Sequence, residues 1–144
     1  MKKTDKPAYK FLQVMLIEDN SIDVFIHKTL IHKRHFAGQI MVFDKAGEAI
    51  QFFRKEKNTL KVLPALIFLN LYMPMMDGFQ FLEEFEKMLG SFVKRVKIIV
   101  VTSSINPADK KRAMSFKSVI HYVTKPLTLK DLDKIEGISN ENKK

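Results

Sequence analysis

The chain has 144 residues, 46% of them hydrophobic and 28% charged, which is enough for one globular domain with a hydrophobic core. It contains no cysteine, and this excludes both a disulfide framework and a cysteine-rich zinc site. Its formal net charge of +9 would suit an anionic partner, although solvated surface lysines are the simpler interpretation.

The amino-terminal segment begins with lysines and then becomes apolar, as a signal peptide does. Its apolar part is short, is interrupted by Gln13 and runs into Glu18 and Asp19, so we interpret it as a polar lead-in followed by a first strand. No apolar stretch approaches the roughly 18 residues that a membrane-spanning helix needs. We therefore expect a soluble, cytoplasmic protein without a membrane partner.

Apolar runs alternate with amphipathic segments along the whole chain. Five strands are predicted, at residues 11–17, 39–43, 65–70, 96–102 and 119–124. Five helices are predicted, at residues 22–36, 46–56 and 78–89, from 107 onward and from 129 onward. Helix-capping residues precede four of the helices: Asn20 or Ser21, Asp77, Asn106 and Thr128. Gly38 and Gly90 are expected near the ends of the first and third helices.

Continuous apolar strands that alternate with helices predict a parallel sheet with helices on both faces. The expected fold class is therefore α/β. The domain is expected to cover residues 11–136, between a polar lead-in at 1–10 and a polar tail at 137–144.

Polar residues follow four of the predicted strands. Glu18 and Asp19 follow the first strand and Asn70 ends the third, while Thr102 and Lys125 mark the ends of the fourth and fifth. The carboxyl ends of parallel strands meet at one edge of a sheet, so these side chains are expected to share a pocket. Two acids and a further oxygen suit Mg²⁺, and a hydroxyl with a lysine suits a phosphoryl group beside it.

Four short blocks carry a resemblance to a known family: EDN (18–20), LNLYMPMMDGF (69–79), VVTSS (100–104) and YVTKPL (122–127). Together they resemble the signature blocks of response-regulator receiver domains, the phosphoacceptor modules of two-component signalling. The resemblance covers residues 11–136. It implies a stand-alone receiver domain that is not an enzyme, with a flavodoxin-like five-stranded parallel sheet of order 2-1-3-4-5.

The resemblance also implies roles for individual residues, by position. The metal ligands would be Glu18, Asp19, residue 70 and the backbone carbonyl of Tyr72. The phosphoryl-contacting and switch residues would be Thr102, Tyr122 and Lys125. The Lys125–Pro126 peptide bond is often cis in this family, which would direct Lys125 into the pocket.

Asn70 departs from the family pattern, because it stands at the phosphoacceptor position, where an aspartate is expected. A carboxamide has no net charge and its oxygen electrons are delocalised onto nitrogen, so it is a poor nucleophile toward phosphorus. Two explanations stay open: a pseudo-receiver that signals without phosphate, or an aspartate-to-asparagine substitution in an ordinary receiver domain. In either case we expect Mg²⁺ as the cofactor, bound more weakly than by a receiver with aspartate.

The expected partner face lies on the fourth helix, fifth strand and fifth helix. It would include Lys110, Lys111, Met114, His121 and Lys130. The resemblance implies a histidine kinase, a phosphotransfer protein or a downstream signalling protein as the partner, and a second copy of the chain is a further candidate. The alternative is a basic interaction module for nucleic acid or an acidic protein. Nucleic acid is the less favoured partner, because no basic cluster is interleaved with aromatic residues.

Overall fold

The computed structural model describes residues 8–142. The sheet comprises β1 (Phe11–Ile17), β2 (Ala37–Phe43), β3 (Leu66–Leu69), β4 (Lys97–Thr102) and β5 (Val119–Thr124). The helices are α1 (Ser21–Lys33), α2 (Ala46–Glu56), α3 (Gly78–Glu86), α4 (Pro107–Met114) and α5 (Leu129–Asn142), and short 3₁₀ turns occupy Leu60–Val62 and Phe92–Arg95. Most of the predicted lead-in, residues 1–7, lies outside the described residues.

All neighbouring strands pair in parallel, in the order β2-β1-β3-β4-β5. This confirms the predicted α/β fold of the flavodoxin-like type and its strand order. The reversal of strand order between β1 and β3 places the ends of these two strands side by side, with Ile17 opposite Leu69. Such a topological switch point is where open α/β sheets form their binding crevices.

The hydrophobic core has two layers, one on each face of the sheet. Alternate strand residues point to opposite faces, so Met15 and Ile17 pack with the α2 and α3 side, whereas Val14 and Leu16 pack with the α1 and α5 side. The first layer holds the phenylalanines of α2 and α3, including Phe53, whose ring lies 5.2 Å from that of Phe85. The second layer is completed by residues of α1 and α5.

The predicted end of the first helix is wrong. Helix α1 ends at Lys33, three residues earlier than expected, and the chain then turns through His35, which has a positive φ of 52°. Gly38 therefore does not follow the helix end but lies within β2. Histidine tolerates the left-handed region better than most residues, so the turn needs no glycine.

The predicted polar tail at 137–144 is also corrected. Helix α5 continues to Asn142, and Ser139 within it is buried. A β-carbon added at Gly137 would meet nothing within 4 Å, so this glycine lies in an ordinary, open stretch of helix. Helix α3, by contrast, ends at Glu86, and turns fill the interval to Gly90.

None of the helices in residues 8–142 has the length and apolar character required to cross a membrane.

Candidate functional site

The carboxyl ends of four strands surround a cavity of about 290 Å³. All five residues predicted to share a pocket line it, namely Glu18, Asp19, Asn70, Thr102 and Lys125, and Tyr72 lines it as well. The prediction that these strand ends converge is therefore confirmed. The roles that the family resemblance gives to the individual residues stay predictions.

The position of Asn70 is fixed by backbone contacts on two sides. Its amide donates to the carbonyl of Ile17 at 3.0 Å, which extends the β1–β3 pairing by one residue. On the other side, the amide of Gly78 donates to the carbonyl of Leu71 at 2.6 Å. A β-carbon at Gly78 would lie 2.6 Å from the carbonyl oxygen of Asn70, so the start of α3 approaches β3 as closely as only glycine allows.

The side-chain amide of Asn70 faces three oxygen atoms. Its Nδ2 lies 3.2 Å from Oε2 of Glu18, 3.3 Å from Oδ1 of Asp19 and 3.2 Å from the carbonyl oxygen of Tyr72. All three partners are acceptors, so the nitrogen rather than the oxygen of the carboxamide must point toward them. The two amide hydrogens are shared among the oxygens that the family resemblance assigns to a metal.

Glu18 is only 3% exposed and is held by three donors. Besides Asn70, its carboxylate accepts from the backbone amide of Asn20 at 3.1 Å and lies 2.8 Å from Nζ of Lys125. Burial raises the pKa of Glu18 above its ordinary value, and the Lys125 and Asn20 hydrogen bonds only partly counter this effect.

Lys125 points into the cavity from a cis Lys125–Pro126 peptide bond, as the resemblance implies. Its ammonium lies 2.7 Å from Oδ2 of Asp23 and 2.8 Å from Oε1 of Glu18. Burial disfavours the ammonium, but the two carboxylates outweigh it, so the pKa of Lys125 is raised above its ordinary value. The lysine is thus engaged by two acids of the pocket itself.

Asp23 is a pocket residue that the sequence reasoning missed. It lies in the first turn of α1, three residues after the helix cap Asn20, whose side chain accepts from its backbone amide. An acid in the first turn of a helix is usually explained by the helix dipole. The available signal was its position in the first turn of α1, because the helix that follows a parallel strand begins at the carboxyl end of the sheet.

A second polar cluster spans the mouth of the cavity. Asp109 accepts from the hydroxyl of Tyr72 at 2.7 Å and from that of Ser104 at 2.6 Å. These bonds connect the β3–α3 loop with the β4–α4 loop. They lower the pKa of Asp109, the Ser104 bond having the larger effect, and the bond to Asp109 raises the pKa of Tyr72. Neither Ser104 nor Asp109 was among the predicted site residues.

Thr102 and Tyr122 lie on the neighbouring strands β4 and β5. Thr102 is buried, and its hydroxyl accepts from the backbone amide of Ser104 at 3.2 Å. Tyr122 does not line the cavity but packs against the core layer on the α2 and α3 side. Burial raises the pKa of its phenol, and the nearby Ser104 hydroxyl acts in the opposite direction.

The predicted partner face lies away from the cavity floor, on α4, β5 and α5. Lys110, Lys111, Met114 and Lys130 are exposed and His121 is half-buried. Burial lowers the pKa of His121. This face is available to a partner, and its use as an interface stays a prediction.

Comparison with known proteins agrees with this arrangement. The family model for the response regulator receiver domain matches residues 14–135. Response regulator Rcp1 from Synechocystis sp. is 27% identical over 131 residues, covering 88% of this chain and 86% of its own. The crystal structure of a two-component response regulator from Cytophaga hutchinsonii shares the fold with a TM-score of 0.81 and 24% identity, covering 90% of this chain and 98% of its own.

The chain therefore belongs to the response regulator receiver domain family. Receiver domains are signalling modules of two-component systems, and they interact with histidine kinases and phosphotransfer proteins. A further similar structure, the receiver domain of the sensor histidine kinase PA1611 from Pseudomonas aeruginosa, holds a magnesium ion in its active site cleft. It is 17% identical, with a TM-score of 0.68, and covers 87% of this chain and 93% of its own.

The potential metal ligands of this pocket, in their present arrangement, do not fit a magnesium ion. Within residues 8–142 there is no group of three or more histidine, cysteine or acidic side chains placed to hold a metal. Two carboxylates and a carbonyl are present, but residue 70 directs a hydrogen-bond donor toward them instead of a third negative oxygen. Mg²⁺ requires oxygen ligands in near-octahedral geometry, so Asn70 would first have to turn away.

Proposed function

We propose that this chain is a receiver domain that signals through protein–protein contact and accepts no phosphoryl group at residue 70. The observation that carries this proposal is the position of the Asn70 amide nitrogen, within 3.3 Å of three acceptors. A nucleophile at this position needs a free, negatively charged oxygen. Asn70 offers a neutral oxygen and commits its nitrogen to the neighbouring carboxylates.

The same contacts are expected to weaken the binding of Mg²⁺. The amide of Asn70 supplies positive partial charge to Glu18 and Asp19, which relieves part of the repulsion that a cation would otherwise neutralise. Lys125 further neutralises Glu18 from the other side. A metal ion would therefore gain less at this site than at one with three free carboxylates.

The proposed partners are a histidine kinase, a phosphotransfer protein or a downstream signalling protein in the cytoplasm, with a second copy of the chain as a further candidate. The proposed contact face is the exposed surface of α4, β5 and α5, which carries Lys110, Lys111 and Lys130. Its charge favours an acidic partner surface. We do not assign catalysis to this chain, because the family to which it belongs consists of signalling modules.

The test is phosphorylation by acetyl phosphate with Mg²⁺, followed by intact mass spectrometry. The chain itself is expected to gain no phosphoryl mass, whereas Asn70→Asp is expected to gain one. The matched control is the double variant Asp19→Asn with Asn70→Asp, which keeps the net charge of the chain but removes a carboxylate from the metal position. It should be labelled far less than Asn70→Asp alone.

Each outcome says whether the remaining pocket can still support phosphoryl transfer. Labelling of Asn70→Asp alone would mean that the remaining pocket is competent and that residue 70 silences it. Absence of labelling in both proteins would mean that Lys125 and the loops have also lost the geometry for phosphoryl transfer. Labelling of the unaltered chain in this pocket would contradict the proposal.

A further inference from the structure

Three adjoining cavities, with volumes of about 570, 300 and 240 Å³, lie at the end of the sheet opposite to the candidate functional site. They lie at the amino ends of β1, β3 and β4, and Arg95 lines all three. We call this surface the amino-edge groove. The groove lies at the far end of the strands from Glu18 and Asn70, so it is separate from the candidate functional site.

Among the residues that the structure describes, the charged residues that line the amino-edge groove are all basic. The basic residues are Lys10, Lys61, Lys94, Arg95 and Lys97, and within residues 8–142 no aspartate or glutamate lines any of the three cavities. Of these five, only Lys10 has a carboxylate within 4 Å among the described residues, that of Glu136 at 3.4 Å. Concave surfaces lined by charges of one sign attract ligands of the opposite sign.

The floor of the groove is apolar. Phe11, Leu12, Ala65 and Val96 line it between the basic side chains. Leu12 is 79% exposed and Leu60, at the rim, is 44% exposed. Large aliphatic side chains so exposed beside one another are typical of a surface that a partner covers.

From this combination we propose that the amino-edge groove binds an extended segment of a partner protein in which acidic and apolar residues alternate. In an extended segment, alternate side chains point to opposite sides. One row would then place carboxylates near Lys94 and Arg95 while the other buries apolar side chains against Leu12 and Leu60.

The apolar floor favours a peptide over nucleic acid. A nucleic-acid backbone would satisfy the lysines, but it has no aliphatic side chains to cover the exposed leucines. Bases could contribute by stacking on aromatic rings, yet Phe92, the aromatic residue beside Arg95, already lies 5.9 Å from its guanidinium. The groove therefore fits a ligand that carries both carboxylates and aliphatic groups.

The experiment uses fluorescein-labelled peptides of about eight residues, which span roughly 26 Å when extended. The probe alternates glutamate with leucine. One comparison peptide replaces leucine with serine, and another replaces glutamate with lysine. Binding to the full chain is followed by fluorescence anisotropy, with a labelled DNA duplex as a fourth ligand. The glutamate–leucine peptide is expected to bind the tightest of the four.

Two charge-reversal variants locate the site. Lys94→Glu with Arg95→Glu is expected to weaken binding of the glutamate–leucine peptide by about ten-fold or more, because it reverses two charges of the groove. Lys28→Glu with Lys45→Glu makes the same change in net charge at exposed positions outside both the groove and the proposed contact face, and should alter binding by less than about two-fold. Urea unfolding of each variant checks that the fold is intact.

The opposing outcomes are equally specific. Equal losses in both variants would mean long-range attraction to a basic protein and would overturn the proposal. Equal binding of the glutamate–serine peptide would refute the role of the apolar floor, and tighter binding of the duplex would identify a nucleic-acid surface instead. The proposal does not depend on Asn70, so Asn70→Asp should leave peptide binding unchanged.

Discussion

The ammonium of Lys125 and the carboxylate of Glu18 lie 2.8 Å apart, with side chains that are 13% and 3% exposed. The two residues follow β5 and β1, which are separated in the sheet by β3 and β4. Their contact therefore crosses the floor of the candidate site. Buried pairs of this kind add little net stability when they are intact, but loss of one partner leaves the other charge without compensation.

We expect Lys125→Met to lower the free energy of unfolding by about 3 kcal/mol, the lower end of the range for breaking a buried ion pair. The loss is limited because the Asn20 and Asn70 amides still donate to Glu18. Urea denaturation measures the change. The control is Lys87→Met, which removes an exposed ion pair with Glu84 and should leave stability unaltered. Equal effects of the two substitutions would contradict the conclusion that loss of Lys125 leaves a buried charge without compensation.

Asn70→Asp is expected to destabilise the metal-free domain by about 1 kcal/mol or more, because a donor becomes a third carboxylate beside Glu18 and Asp19. Thermal melts in EDTA measure this change. Added Mg²⁺ should then raise the Tm of the variant in a concentration-dependent way and affect the Asn70 protein much less. Asn58→Asp is the same change at an exposed position and should lack the penalty. A variant more stable than the Asn70 protein in EDTA would refute the argument.

The fold was predictable because its signals are local. The bounds of β1 and β5 match the predicted strands at 11–17 and 119–124, because polar residues flank both segments. All four predicted caps also form as expected: the side chains of Asn20, Asp77, Asn106 and Thr128 each accept a backbone amide in the first turn of their helix. These residue types favour the cap position through a contact within three residues.

Two of the contacts that sequence reasoning missed join distant residues. Lys125 reaches Asp23 across 102 positions of the chain, and Tyr72 reaches Asp109 across 37. Each pairing depends on side-chain conformations and on how a helix is seated on the sheet. The same limit applies to α1, where the apolar Ile22 and Phe25 are exposed, at 68% and 71%, while His27 is buried. Helical spacing identifies a helix but does not say which side faces the core.

Gly78 provides a test of the tight approach between α3 and β3. We expect Gly78→Ala to destabilise the domain by about 1–3 kcal/mol, because its β-carbon would lie 2.6 Å from the Asn70 oxygen and 2.7 Å from Cα of Leu71, both backbone atoms. The matched control is Gly47→Ala in α2, where the added carbon meets nothing within 4 Å. That substitution should stabilise the domain by about 0.5–1 kcal/mol through helix propensity. Urea unfolding of both variants measures the difference, and a neutral Gly78→Ala would contradict the close approach.

His27 makes a contribution to stability that depends on pH. It is 3% exposed, and burial, assisted by the charge of Lys125, lowers its pKa below the ordinary value of 6.5. The unfolded chain therefore binds a proton at a higher pH than the folded one. The stability that neutral His27 provides is present above pH 6.5 and is lost as the pH falls from there through the folded pKa.

We expect the loss of unfolding free energy between about pH 7.5 and about pH 5 to be smaller in His27→Gln than in the unaltered chain. Urea unfolding at each pH measures it. Part of the pH dependence of the unfolding free energy should remain in His27→Gln, because the pKa of His121 is also lowered. The raised pKa of Glu18 acts in the opposite direction. The comparison between variant and parent therefore isolates His27, and His32→Gln, at an exposed position of the same helix, serves as the control. Identical slopes in the parent and His27→Gln would show that the buried imidazole does not control this loss.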